Sequence, residues 1–193
     1  MKLFAISAFA ATLALAGGAS AANIVVDALG NSSSGGVGAV TGLSLTAGQG
    51  FTVTVDPNDL WSAGGLPRWS NADGLTHDTF ATGSDESGLP AGVQIGTDFG
   101  LWTENGLSAP YGTLVGDIGG VFQVLGTNFS GAAWATGDLT LYYWDSNNGD
   151  NSQFITASVN GAVPEPATWA LMLGGFGLVG LTLRGRKAAA LTA

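Results

Sequence analysis

The chain has 193 residues and a formal net charge of −9, with one histidine and no cysteine. The lack of cysteine excludes disulfides and thiolate metal sites, and the acidic balance disfavours nucleic acid and anionic lipid, so we expect no nucleic-acid partner. Once the two ends described below are set aside, about 140 residues are left to fold, which is enough for one domain.

The chain begins with the pattern of a secretory signal peptide. Lys2 gives a positive start, residues 3–15 are apolar, and Ala19, Ser20 and Ala21 form a small-x-small cleavage site. We therefore predict a signal helix over residues 1–22 that signal peptidase removes. Export is expected, and these residues are then excluded from the folded domain.

Between residues 23 and 162, short stretches with the two-residue period of strands alternate with turn residues. In residues 51–55 the apolar side chains fall on one face and the threonines on the other, as in a half-buried strand. The connection over residues 56–90 is too irregular to assign. The other strand-like stretches are residues 24–28, 42–45, 94–95, 113–118, 121–125, 139–144 and 154–159. Together with Gly and Asn turns, they predict an all-β fold, an antiparallel β-sandwich.

An acidic, amide-rich segment separates the last two predicted strands, over residues 144–152. Its carboxylates, Asp145 and Asp150, and its amides, including Asn147 and Asn151, are oxygen donors of the kind that calcium binds. The segment is not an EF-hand, because the glutamate expected at the twelfth position is missing and no helices flank it. The same residue types favour an ordinary polar hairpin turn, and the segment alone leaves both interpretations open.

The C-terminal residues have the order of a sorting signal, over residues 163–193. The triplet Pro164-Glu165-Pro166 disfavours a helix, and an uncharged stretch of about 17 residues, 167–183, which includes Trp169, is a short membrane span. The basic residues Arg184, Arg186 and Lys187 follow the span. They are expected to stay in the cytoplasm, which places the rest of the chain outside the inner membrane.

This tail resembles that of the PEP-CTERM proteins of Gram-negative bacteria, in the PEPxxWA variant of their motif. Such tails are handled by an exosortase, commonly alongside exopolysaccharide production. The resemblance implies a precursor anchored in the inner membrane by a C-terminal transmembrane helix, followed by a mature form at the cell surface or outside the cell. An exosortase is therefore a predicted partner.

The central segment resembles the calcium-dependent galactose-binding lectins of the PA-IL type at three places. Residues 112–119 match a small-residue strand that ends in an Ile-Gly turn. Residues 139–145 match an aromatic strand that ends in Asp, and residues 149–153 match a loop of the Gly-Asn-Asn-Ser-Gly type. The resemblance implies a lectin-like, galactose-binding-like sandwich with calcium as cofactor and carbohydrate as ligand.

Residue roles follow from the same resemblance. The side chains of Asp145, Asp150 and Asn151 fall where the family binds calcium, and backbone oxygens near Gly64 and Asn147 would complete the shell. The residues expected to contact the sugar are His77, Asp145, Ser146, Asp150 and Trp61.

Alternatives exist for two of these sugar contacts. As the only histidine, His77 is otherwise an exposed loop residue, and the ring of Trp61 can equally pack inside the sandwich. Phe80 stands where the family has a glutamine contact. Galactose specificity is therefore not implied for this chain.

Together these patterns predict an exported, non-enzymatic protein that binds carbohydrate through calcium, with exopolysaccharide as a candidate ligand. A single histidine and no cysteine nearly exclude zinc and Cys-His catalysis, and no G-x-S-x-G motif is present. The alternative is a structural or adhesive protein of the extracellular matrix or biofilm without a specific sugar ligand.

Replacement of Pro164, Glu165 and Pro166 by alanine is expected to block processing, because the extended, helix-breaking segment before the membrane span is lost. The full-length protein should then stay in the inner-membrane fraction, as measured by fractionation and immunoblotting. The variant Thr168→Ala, which changes a variable position of the motif, serves as the control. Normal release of the triple variant would disprove the sorting signal.

Overall fold

The computed structural model describes residues 21–161 and Gly175. The strands are β1 (Ala21–Asp27), β2 (Ala39–Leu45), β3 (Gly50–Val55), β4 (Trp61–Ser62), β5 (Trp69–Ser70), β6 (Thr79–Phe80), β7 (Gln94–Gly96), β8 (Leu101–Glu104), β9 (Leu107–Pro110), β10 (Thr113–Ile118), β11 (Val121–Val124), β12 (Asn128–Ala132), β13 (Gly137–Trp144) and β14 (Phe154–Gly161). A 3-10 helix, η1, covers Asn148–Asp150.

The predicted helices over residues 1–22 and 167–183 lie almost entirely outside the described residues. Within the described part, no helix is long and apolar enough to cross a membrane. Strand β1 begins at Ala21, so a cleavage after Ala22 would remove the first two residues of that strand. Residues 19–162 form a compact unit. The residues of its hydrophobic core all belong to the unit itself, so we expect it to fold on its own.

Eight strands form two four-stranded antiparallel sheets, with the orders β1-β14-β3-β12 and β11-β10-β13-β2. The predicted all-β antiparallel fold is therefore confirmed. Strands β13 and β14 are consecutive in the chain but lie in different sheets. The acidic segment between them thus crosses from one sheet to the other, and its interpretation as a hairpin turn is wrong.

One hydrophobic core lies between the two sheets. The alternation predicted in residues 51–55 is confirmed, because Phe51, Val53 and Val55 in β3 are all buried and the threonines between them face outward. The inward-facing residues of both sheets belong to the same cluster, which includes Val26, Val53, Ile155, Leu114, Leu139 and Leu141. The two sheets therefore form a sandwich.

The irregular connection over residues 56–90 contains the short hairpin β4–β5, which positions the candidate site. Ser62 and Ser152 donate a backbone hydrogen bond to each other, both of 3.0 Å, and this pairing joins β4 to the end of the acidic segment. Trp61 anchors the hairpin: its ring is fully buried and its Nε1 donates to the carbonyl of Gly112 at 2.8 Å.

Substitution of Phe51 tests the core. Phe51 is 2% exposed and its ring centroid lies 4.8 Å from that of Phe129. Phe51→Ala should lower the free energy of unfolding by about 3–5 kcal/mol, because burial is lost and a cavity forms. Phe154→Ala is the matched control at a 49% exposed position, and it should change stability by about 0.5 kcal/mol or less. Urea denaturation measures both, and equal losses would contradict this core.

Candidate functional site

A cleft of about 260 Å³ opens where the acidic segment meets the hairpin β4–β5. Its walls come from the hairpin, from the residues before β10 and from the segment after β13. The side chains and backbone that line it belong to Ala63, Arg68, Phe99, Tyr111, Asp145, Ser146, Asn147 and Asp150. Four of the residues predicted from sequence, Asp145, Ser146, Asn147 and Asp150, are therefore brought together here.

Asp145 is the most buried carboxylate of the cleft, at 4% exposure. It follows directly on β13, whose last residue, Trp144, is fully buried, and the hydroxyl of Ser33 holds its backbone in place. Its Oδ1 accepts from the backbone N–H of Ser146 at 2.7 Å. Burial raises the pKa of Asp145 above the ordinary value of 3.8, and this hydrogen bond only partly opposes the rise.

Asn151 has an oxygen that is buried without a partner. The residue is 5% exposed, and its Nδ2 donates to the carbonyl of Ala28 at 3.0 Å, which fixes the orientation of the amide. Its Oδ1 accepts no hydrogen bond from the described residues. Its side chain also interacts with Asp145, whose pKa it lowers. An unpartnered buried oxygen costs about 1–3 kcal/mol, so its position calls for an explanation.

The hydroxyl of Tyr143 is the second buried oxygen without a partner in the described part of the chain. Burial, followed by the negative charges of Asp145 and Asp150, holds the pKa of Tyr143 well above its ordinary value. The phenol therefore stays neutral at physiological pH. Both unpartnered atoms belong to residues that interact with Asp145.

Asp150 lies at the end of η1 and has both of its oxygens engaged. Oδ1 accepts from Nδ2 of Asn147 at 3.2 Å, and Oδ2 lies 3.3 Å from Nη1 of Arg68. Gly64 lies directly against this carboxylate, and a Cβ at its position would overlap the Asp150 side chain. With φ of +119°, Gly64 also has a conformation that side-chain-bearing residues rarely adopt.

Two aromatic rings and one cation complete the cleft, and the sequence did not identify them as site residues. The guanidinium of Arg68 lies 4.8 Å from the ring centroid of Phe99, which packs edge-on against Tyr111 at 5.3 Å. The signal for Arg68 was available: it is the only Lys or Arg between residues 21 and 161. Phe99 and Tyr111 had no such signal, because only the fold brings them here.

Two of the predicted sugar contacts lie elsewhere. Trp61 is fully buried and packs edge-on against Tyr143 at 4.5 Å, so its ring faces the core rather than the cleft. The ring of Trp61 therefore packs inside the sandwich, which is the alternative to a sugar contact. His77 is exposed, its Nδ1 lies 2.9 Å from Oγ1 of Thr76, and it is not among the residues that line the cleft.

The donor atoms of the cleft are those that a hard cation uses. No group of three or more His, Cys, Asp or Glu side chains within residues 21–161 is placed to hold a metal ion. Two carboxylates, Asp145 and Asp150, are therefore the only acidic donors here, and amide and backbone oxygens must supply the rest. Calcium accepts such mixed oxygen shells, and the unpartnered Oδ1 of Asn151 fits one.

Comparison with known proteins identifies the C-terminal region. The family described as the PEP-CTERM protein-sorting motif matches residues 162–187, which confirms the predicted sorting motif. The motif implies an exported protein that is sorted to the cell envelope. None of the curated proteins matches the chain.

Among solved structures, the chain is similar to the EclA N-terminal domain, described as a PllA-like lectin. The two share 17% sequence identity, with 74% of this chain and 95% of that chain covered, at a TM-score of 0.45.

The raised pKa of Asp145 predicts a pH dependence of the metal-free protein. Folded Asp145 binds its proton more tightly than unfolded Asp145. Its contribution to the free energy of unfolding is therefore greatest below pH 3.8 and is lost as the pH rises through the pKa of the folded state. Asp145→Asn should remove this loss. Urea denaturation in chelator, from acid to neutral pH, measures the wild-type protein and the variant. Parallel pH profiles would contradict the burial of an ionisable group here.

Proposed function

We propose that the domain of residues 21–161 binds carbohydrate through a calcium ion held in the cleft, after the sorting motif has directed the protein to the cell envelope. Asp145, Asp150 and Asn151 would hold the ion with their side chains, and Gly64 and Asn147 with backbone oxygens. A bound calcium ion would supply coordination positions for two neighbouring hydroxyls of a neutral sugar.

The observation that best supports this proposal is the buried Oδ1 of Asn151. Its amide is fixed by the bond to Ala28, and its oxygen is left without a hydrogen bond in the described residues, next to the buried carboxylate of Asp145. A cation would relieve two costs at once, because it partners the orphaned oxygen and favours the ionised form of Asp145.

The rest of the cleft fits a sugar. Phe99 is 42% exposed and supported by Tyr111, so its ring can contact the apolar C–H face of a pyranose once the guanidinium of Arg68 has moved off the ring. The backbone carbonyls and the Ser146 hydroxyl can exchange hydrogen bonds with sugar hydroxyls. We propose a neutral glycan as the ligand class, with exopolysaccharide as the candidate polymer, because all acidic residues except Glu165 lie in this domain and would repel a polyanion.

The alternative function, a structural or adhesive matrix protein, also has one observation in its favour. The ion pair between Arg68 and Asp150 partly balances the charge of the acidic segment without any added ion. If that balance suffices, the segment is a structural connection between the two sheets. Neither function needs catalysis, and we propose that the protein is not an enzyme.

Calcium should raise the melting temperature of the domain, because an ion that binds only the folded state stabilises it by about 2.7 kcal/mol at a hundredfold excess over Kd. The double variant Asp145→Ala and Asp150→Ala should lose this rise. Scanning calorimetry of residues 19–162, with calcium and with chelator, measures both.

A matched control is the double variant Asp117→Ala and Asp138→Ala, which removes two carboxylates on β10 and β13 that do not line the cleft. It should keep the calcium response. A glycan array probed with calcium and with chelator then tests the ligand. An unchanged melting temperature in calcium, or glycan binding that resists chelator, would contradict the proposed function.

A further inference from the structure

The single cation of the domain lies in the cleft that we propose to bind calcium. Arg68 follows the turn that begins at Gly64, and the backbone hydrogen bond from Ala63 N–H to the Arg68 carbonyl, 2.9 Å, closes this turn. Its side chain therefore starts from a fixed position. Nη1 contacts Oδ2 of Asp150 at 3.3 Å and the carbonyl of Ala63 at 3.4 Å.

We infer that Arg68 is an internal competitor of the divalent cation and determines the cation affinity of the cleft. This inference rests on the proposed calcium-dependent function. The sequence resemblance does not assign Arg68 to the site. Unlike a ligand, Arg68 weakens the binding of the ion.

The first reason is that each oxygen of the Asp150 carboxylate already accepts a hydrogen bond from an N–H donor. The amide of Asn147 occupies Oδ1 and the guanidinium of Arg68 occupies Oδ2. A metal ion can use a carboxylate oxygen only if it replaces such a donor or shares the oxygen with it. The bond to Arg68 is the one that also places a like charge beside the incoming ion.

The second reason is that Arg68 is held in the cleft from a second side. Its guanidinium lies over the ring of Phe99, with 4.8 Å between Cζ and the ring centroid. This contact keeps the positive charge near Asp150 even when the exposed ion pair opens. Release of Arg68 would in turn uncover the face of Phe99, which is the surface that we assign to the sugar.

The third reason is that part of the donor set is not neutralised by Arg68. Asn151 is 5% exposed, and its Oδ1 has no partner among the described residues although the guanidinium is in the cleft. Arg68 therefore satisfies the exposed part of the acidic segment and leaves the buried part unsatisfied. The acidic segment is thus partly balanced without metal, and just behind the cleft it still has an unpartnered oxygen that a cation could use.

Calcium titration by calorimetry at low salt, on residues 19–162, tests this inference. Arg68→Gln should bind calcium about five- to tenfold more tightly than the wild-type protein, because an exposed ion pair is removed together with a like charge beside the ion. Arg68→Lys keeps the charge and should stay within about twofold of the wild-type affinity, since the competition is electrostatic.

The control for net charge is Gln123→Glu. Gln123 is exposed on the edge strand β11, does not line the cleft, and its substitution changes the net charge by the same amount as Arg68→Gln. It should leave the calcium affinity within about twofold of wild type. As a second readout, the melting temperature in chelator should fall in Arg68→Gln and its rise with calcium should be larger than in wild type.

The outcomes separate the inference from the proposed function. Tighter calcium binding by Arg68→Gln than by Gln123→Glu supports the inference. If the wild-type protein binds no calcium but Arg68→Gln does, the inference is still supported and only the proposed function is overturned. Equal or weaker binding by Arg68→Gln, with a wild-type protein that does bind, overturns the inference and leaves the function standing. No binding by any variant overturns both.

Discussion

The backbone pairing of Ser62 with Ser152 is the constraint on which the candidate site depends. It joins the hairpin β4–β5, in the irregular connection over residues 56–90, to the end of the segment that crosses between the two sheets. Without it, Gly64 and Arg68 would not lie against Asp150. The buried ring of Trp61 anchors the hairpin in the core, so the geometry of the cleft depends on the packing of the sandwich.

Asp145, which lines the cleft, has two buried neighbours with unpartnered oxygens that do not line it. Asp145 is ionisable and buried, Asn151 has an oxygen without a partner, and the Tyr143 hydroxyl is unpartnered as well. One arginine, on the exposed side, offsets only Asp150 directly. A bound ion would relieve these costs, and this is the physical basis of the proposed function.

The sequence predicts the regular part of this fold well and the site only in part. Alternation in residues 51–55 and the aromatic strand at 139–144 identified β3 and β13, because each strand has one face on the core. The two-residue strands β4, β5 and β6 were missed, since so short a stretch has no measurable period. Strands β8, β9 and β12 were missed too, and their residues are mostly exposed or half-buried, which leaves no apolar stripe to detect.

For the site, the acidic segment was recognised from composition, and four of its residues do line the cleft. The hairpin turn, one of the two interpretations that its sequence leaves open, is wrong, because turn residues indicate a change of direction but not which sheet the next strand joins. Phe99, Tyr111 and Arg68 come from distant parts of the chain and line the same cleft as Asp150 only because of the tertiary fold. The calcium and sugar assignments of the segment stay predictions.

The most direct test of this account is a crystal structure of residues 19–162 grown in saturating calcium. The account predicts density for an ion that contacts the carboxylate of Asp145 and Oδ1 of Asn151, with the guanidinium of Arg68 displaced from Asp150. A structure at the same calcium concentration with Arg68 still bound to Asp150, and no ion beside Asn151, would contradict it.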